Sequence, residues 1–145
     1  GIGLGAQILA LASGGQVHRS PLQFCVGEAR RTHKGALNGY LPEAFPMVTY
    51  MRDVFEAPPH ADVLAVDDQG KTAIFQVAEN CFGFAAHPGL KVAMIEDLVM
   101  EFEESAEDIG RNLESLRRDQ KAIEDALVPI MTGIVQKAGW MSDKT

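Results

Sequence analysis

The spacing of apolar residues changes period once along this chain, and that change limits the folds open to it. Up to residue 86 the apolar residues gather in short runs, at 22–26, 47–51, 63–66, 72–77 and 81–86, rich in Val, Phe and Thr. Pro42, Pro58-Pro59 and Asp67-Asp68-Gln69-Gly70 separate them. Short β-prone runs bounded by turn residues predict strands and hairpins. Pro88 and Gly89 end the last run abruptly, which puts His87 at a strand end. Beyond it the spacing turns helical. Val92, Ile95, Leu98, Val99 and Phe102 share one face, with Glu96, Asp97, Glu101, Glu103 and Glu104 around the other. A second run, from Ile109 through Leu116, Ile123 and Ile130 to Ile134, predicts another helix with a kink at Pro129. The acidic stretch from 101 to 108 reads as a solvated helix face. A first helix is expected at residues 5–11, stopped by Gly14-Gly15.

Charge and cysteine usage narrow the function classes. A formal charge of -7, with no basic run longer than Arg30-Arg31 or Arg117-Arg118, argues against a surface that tracks phosphates, so no nucleic-acid partner is expected. No apolar stretch approaches the roughly 18 residues of a membrane span. The glycine-interrupted start lacks the basic region of a signal peptide and reads as part of a soluble element. Cys25 and Cys81 lie far apart without metal-ligand spacing, which fits a reducing, cytoplasmic setting. Both fall on predicted strands, where buried structural thiols are expected. His18, His33 and His60 share no ligand spacing and read as surface residues, so neither a metal nor a cofactor is expected.

The first residues admit two readings. Gly1, Gly3 and Ala6 fit the G-x-G-x-x-G/A turn of dinucleotide sites, and Glu28 follows at the distance of a ribose-binding acid. That fingerprint needs a strand before its first glycine, and the plainer account is a sharp turn with close helix packing. The second reading starts from Gly1-Ile2-Gly3-Leu4-Gly5-Ala6-Gln7, which resembles the elbow G-[IV]-C-[LF]-G-x-Q of class I glutamine amidotransferases, with Gly3 where the cysteine belongs. Downstream, Leu41-Pro42-Glu43-Ala44-Phe45 is similar to L-P-x-x-F. Asp53 and Phe55 match the end of H-W-H-x-D-x-F, with Tyr50 as its aromatic. Pro58-Pro59, Leu64-Ala65, the stretch from Ala73 to Val77, and Gly83 through His87-Pro88 follow in the family's order.

This resemblance implies part of a doubly wound, flavodoxin-like α/β sheet over residues 1–90. Residues 91–145 would be a C-terminal helical extension of the same domain, since 145 residues support a single core. Because the match begins at the elbow, the strands that precede it in the family are expected from another protein chain, from a homo-oligomer, or from a longer protein. The resemblance also assigns roles. Gly3 stands at the nucleophile, His87 at the triad histidine and Gly89 at the triad glutamate, while Gly5 and Gln7 lie beside the glutamine site. Family catalysis needs a thiolate at a helix N-terminus and a histidine oriented by a carboxylate. Glycine supplies neither, and losing such members forfeits rate by thousands-fold or more. Three functions are therefore weighed: a non-catalytic scaffold or regulatory subunit; a superfamily hydrolase or transferase using His87 or a partner's residue; and a nucleotide-binding turn at residues 1–6.

Overall fold

A computed structural model describes residues 1–101 and 108–140. Helix α1 (Leu4–Ala12) opens the chain and is followed by strands β1 (Gln16–His18), β2 (Gln23–Arg31), β3 (Ala44–Met51), β4 (Val54–Glu56), β5 (Asp62–Asp67), β6 (Thr72–Val77) and β7 (Cys81–Phe84). Helices α2 (Val92–Glu101) and α3 (Ile109–Lys137) complete it, and a short 3-10 turn spans Ala36–Gly39. Five strands form one antiparallel sheet in the order β3-β2-β5-β6-β7, while β1 and β4 make a separate two-stranded ladder. The architecture is mixed α/β. Its only parallel link among the described residues is the bridge between Ile2 and Phe84, beside the turn into α1.

The sheet curls because the chain after β7 changes neighbours. Ala85 N–H still bonds the Ala73 carbonyl of β6 at 2.8 Å, but His87 N–H bonds Val48 of β3, the opposite edge strand, at 3.0 Å. One face of β2 and β3 packs on the helices through Phe24, Val48, Ile95, Leu116 and Ile123, all almost fully buried. Burying these five apolar side chains stabilises the fold by about 1.5–3 kcal/mol each, before entropy is counted. Ala6 and Ala10 of α1 sit instead on Phe75 of β6, which is 0% exposed. Gly83 beside it has no alternative, since any Cβ there would overlap the Phe75 ring.

Strand β2 runs to Arg31, well past the expected end at residue 26. Its Glu28 and Arg30 sit at exposed positions where pairing with β3 overrides weak β propensity. Pro46 is tolerated in β3 because that strand is an edge. Helix α3 continues through Pro129. The N–H that proline lacks would have reached the carbonyl of Asp125, an exposed residue where water can substitute. Phe102, Glu103, Glu104 and most of the acidic stretch lie outside the described residues.

Candidate functional site

Two turns carry the residues singled out from the sequence. At the first, Gly3 N–H donates to the Phe84 carbonyl at 2.9 Å, Phe84 N–H returns a bond to Gly1, and Gly5 N–H closes onto the Ile2 carbonyl at 2.9 Å. The chain thus passes from a strand-like stub into α1 within a few residues. Gly3 takes φ 55° and ψ -113°, a conformation strained for any residue with a Cβ. A Cβ built there would meet no atom within 4 Å. The apex of the turn is therefore open to the space a nucleophile would occupy. It has no side-chain cap, and of the first turn of α1 the Gly5 N–H is already taken by the Ile2 carbonyl.

Gln7 is 6% exposed, and its Nε2 donates to the Arg52 carbonyl at 2.8 Å. That bond ties α1 to the turn between β3 and β4. Asp53 holds the same turn with φ 64°: its N–H donates to the Ser20 carbonyl at 3.1 Å and its Oδ1 accepts Ser20 N–H at 2.9 Å. Phe55 leans on Phe75 at 5.4 Å. Asp53 and Phe55 therefore hold the framework beneath the elbow, a role that their place in the motif alone does not reveal.

The second turn follows β7. His87 is half-buried, and Gly89 N–H donates to its Nδ1 at 3.2 Å. Burial pushes its pKa down from the ordinary histidine value. With Nδ1 accepting the Gly89 N–H, the neutral ring carries its proton on Nε2. A triad histidine needs the reverse, with Nδ1–H given to a carboxylate and Nε2 free to take a proton. A side chain at the Gly89 position would also be crowded: its Cβ would lie 3.2 Å from Leu127 Cδ2 of α3.

The remaining candidates lie elsewhere. Glu28 pairs with Arg30 at 2.8 Å on β2. His18 and His33 sit at the surface against Glu56 and Asp62, 3.5 and 3.4 Å away, and His60 is exposed in a turn. Both cysteines are solvent-exposed, contrary to the expectation of buried structural thiols. Cys25 is on the face of β2 opposite Phe24 and Val26, and Cys81 opens the edge strand β7. The strands around Cys25 still desolvate its thiol enough to push the pKa up; Asp67 and Asp68 add to this, while a Thr49 hydrogen bond and Lys71 oppose it. Among the described residues no three His, Cys, Asp or Glu side chains could together hold a metal. No described helix is long and apolar enough to cross a membrane.

No protein-family model matches the chain, and no curated protein matches its sequence. Solved structures do match its fold. A glutamine amidotransferase from Thermotoga maritima superposes with a TM-score of 0.75 at 20% identity, covering 94% of this chain and 61% of that one. A glutamine amidotransferase from Methylobacillus flagellatus gives a TM-score of 0.76 at 17% identity, over 94% of this chain and 62% of its own. The chain thus spans about three fifths of the length of these structures. In its fold, the chain is glutamine amidotransferase-like.

Proposed function

We propose that this chain is a glutamine amidotransferase-like domain without the family's cysteine-dependent glutaminase chemistry, acting as a scaffold or regulatory element in a larger assembly. The observation that carries this reading is Gly3: the turn and its open apex are present, and the atom that would attack is not. His87 supports it, because its Nδ1 accepts from a backbone N–H instead of donating to a carboxylate.

The scaffold half of the reading draws on α1. Its sequence, LGAQILALA, has no charged residue, and Ile2, Leu4, Ile8 and Leu11 are 44–69% exposed. A helix apolar on all sides is normally buried, so this face fits a covering polypeptide that also pairs with the strand-like stub at Ile2. The occupant is a further protein segment of the amidotransferase-like fold or a second copy of this chain.

Ammonia release from glutamine, labelling by a glutamine-analogue chloroketone, and native mass test the reading together. No ammonia, no label and a stoichiometric protein complex are expected. Ammonia release that disappears in His87→Gln would overturn it in favour of a hydrolase that uses His87. A stable monomer with no ligand-dependent partner would remove the scaffold half.

A further inference from the structure

We propose that Asn38-Gly39 is a self-modification site, at which the chain's own backbone converts Asn38 to isoaspartate and so loosens the grip of the β2–β3 connection on the end of α3. This site is separate from both turns described above. Of the three asparagines, at 38, 80 and 112, only Asn38 precedes a glycine. Gly39 has no side chain to shield its nitrogen from the neighbouring carboxamide. Asn38 is exposed, and its amide makes no hydrogen bond to a described residue. Asn112 is the contrast: it lies within α3, donates from Nδ2 to the Asp108 carbonyl at 3.3 Å, and is followed by Leu113.

The backbone around the site is strained. Leu37, Asn38 and Gly39 have φ of 48°, 55° and 86° in succession. Asparagine and glycine tolerate left-handed backbone, but a leucine adopts it only at a cost. Burial holds Leu37 there. It is 1% exposed, and with Tyr40 it abuts α3 so closely that a Cβ on Gly133 would lie 2.7 Å from Leu37 Cβ and 3.0 Å from Tyr40 Cβ. Ring closure at Asn38 needs its ψ, 29° in the fold, to turn until the Gly39 nitrogen faces Cγ. Strain in the resident conformation lowers the cost of that turn.

In the reaction the Gly39 nitrogen loses its proton to solvent and attacks Asn38 Cγ. The Cγ–Nδ2 bond breaks, and Nδ2 leaves as ammonia after taking a proton from water. Water then opens the cyclic imide, at Cγ to give aspartate or at the main-chain carbonyl to give isoaspartate. The net change is carboxamide plus water to carboxylic acid plus ammonia, with no other reactant. It needs no glutamine and happens once per chain, so it is distinct from glutaminase turnover. Isoaspartate carries the main chain through Cβ and Cγ, which lengthens the link between Leu37 and Tyr40, the two residues braced on Gly133. A lengthened link cannot keep both in contact with a closely packed helix.

The test is incubation of the full chain in warm, mildly alkaline buffer, with peptide mapping for the amide-to-acid mass gain and enzymatic methylation of isoaspartyl carboxylates as a second readout. Asn38 is expected to convert severalfold faster than Asn80 or Asn112, and Asn38→Gly to give no methyl acceptor. Backbone amide exchange at residues 130–137 is expected to be faster in isoaspartyl chains than in unmodified wild type. It should stay slow in Asn38→Gly, which accepts the left-handed backbone and cannot cyclise. Three results would overturn the proposal: conversion of Asn38 in urea-unfolded chain but not in folded chain, conversion of Asn80 or Asn112 as fast as Asn38, or isoaspartyl chains exchanging as slowly as unmodified wild type.

Discussion

Gly3 and Gly89 both stand where the family resemblance places a reactive side chain, and they exclude it for opposite physical reasons. At Gly3 there is room, with no atom within 4 Å of a Cβ, but the backbone conformation resists one. At Gly89 the backbone imposes no such restriction, yet a Cβ would crowd Leu127 of α3. The elbow is a strained shape held by its surroundings; the histidine turn is a relaxed shape that a helix crowds. Restoring chemistry at the first requires supporting strain, and at the second requires clearing a leucine.

The sharpest way to break this contrast is to remove what holds the elbow. Phe75 is 0% exposed beneath Ala6 and Ala10 and against Phe55. Phe75→Ala should cost about 3–5 kcal/mol, read as a lower urea midpoint. A loss below about 1 kcal/mol would mean that the elbow does not rest on this ring. Next comes the strain itself. Gly3→Cys should cost about 1–3 kcal/mol although nothing blocks the side chain. Gly5→Ala, in the first turn of α1 and equally unobstructed, should be neutral or stabilise by up to about 1 kcal/mol. If the two substitutions behave alike, strain does not distinguish the positions.

A smaller effect is expected at the histidine turn. Gly89→Glu should destabilise on the order of 1 kcal/mol by displacing Leu127, and Leu127→Ala in the same chain should recover about 0.5 kcal/mol or more of that through coupling. Strict additivity would show that Leu127 is not what excludes a side chain at Gly89.

How far the sequence revealed these features depended on whether they rest on pattern or on contact. The 3.6-residue period exposed α3, and turn residues exposed β6 with its correct ends. Strand β2 was cut short because Glu28 and Arg30 are poor local signals, and only their cross-strand partners on β3 keep them extended. The same contrast holds in the site. Gly3 and Gly89 could be singled out by matching a motif. That Leu127, 38 residues further on, occupies the space beside Gly89 is a tertiary fact that no local spacing encodes. The open cysteines were misjudged because strand membership does not tell which face a residue takes, and Cys25 lies on the opposite face of β2 from Phe24 and Val26, which pack against the helices.

The smallest effect concerns the protonation of His87, and its sign separates the two accounts of that turn. Burial lowers the pKa below its ordinary 6.5, so the folded chain favours neutral imidazole. Below pH 6.5 the unfolded chain then binds more protons than the folded one. The contribution of His87 is complete above 6.5, is lost as pH falls through that value toward the folded pKa, and levels off beneath it. Urea titrations from pH 7.5 to 5 on wild type and His87→Gln should therefore differ by a step that disfavours wild type at the acid end. A triad-like carboxylate on the ring would instead raise the pKa and stabilise wild type as pH falls. A step of that sign would show that His87 faces an acid after all, and the contrast between an open elbow and a crowded histidine turn would no longer hold.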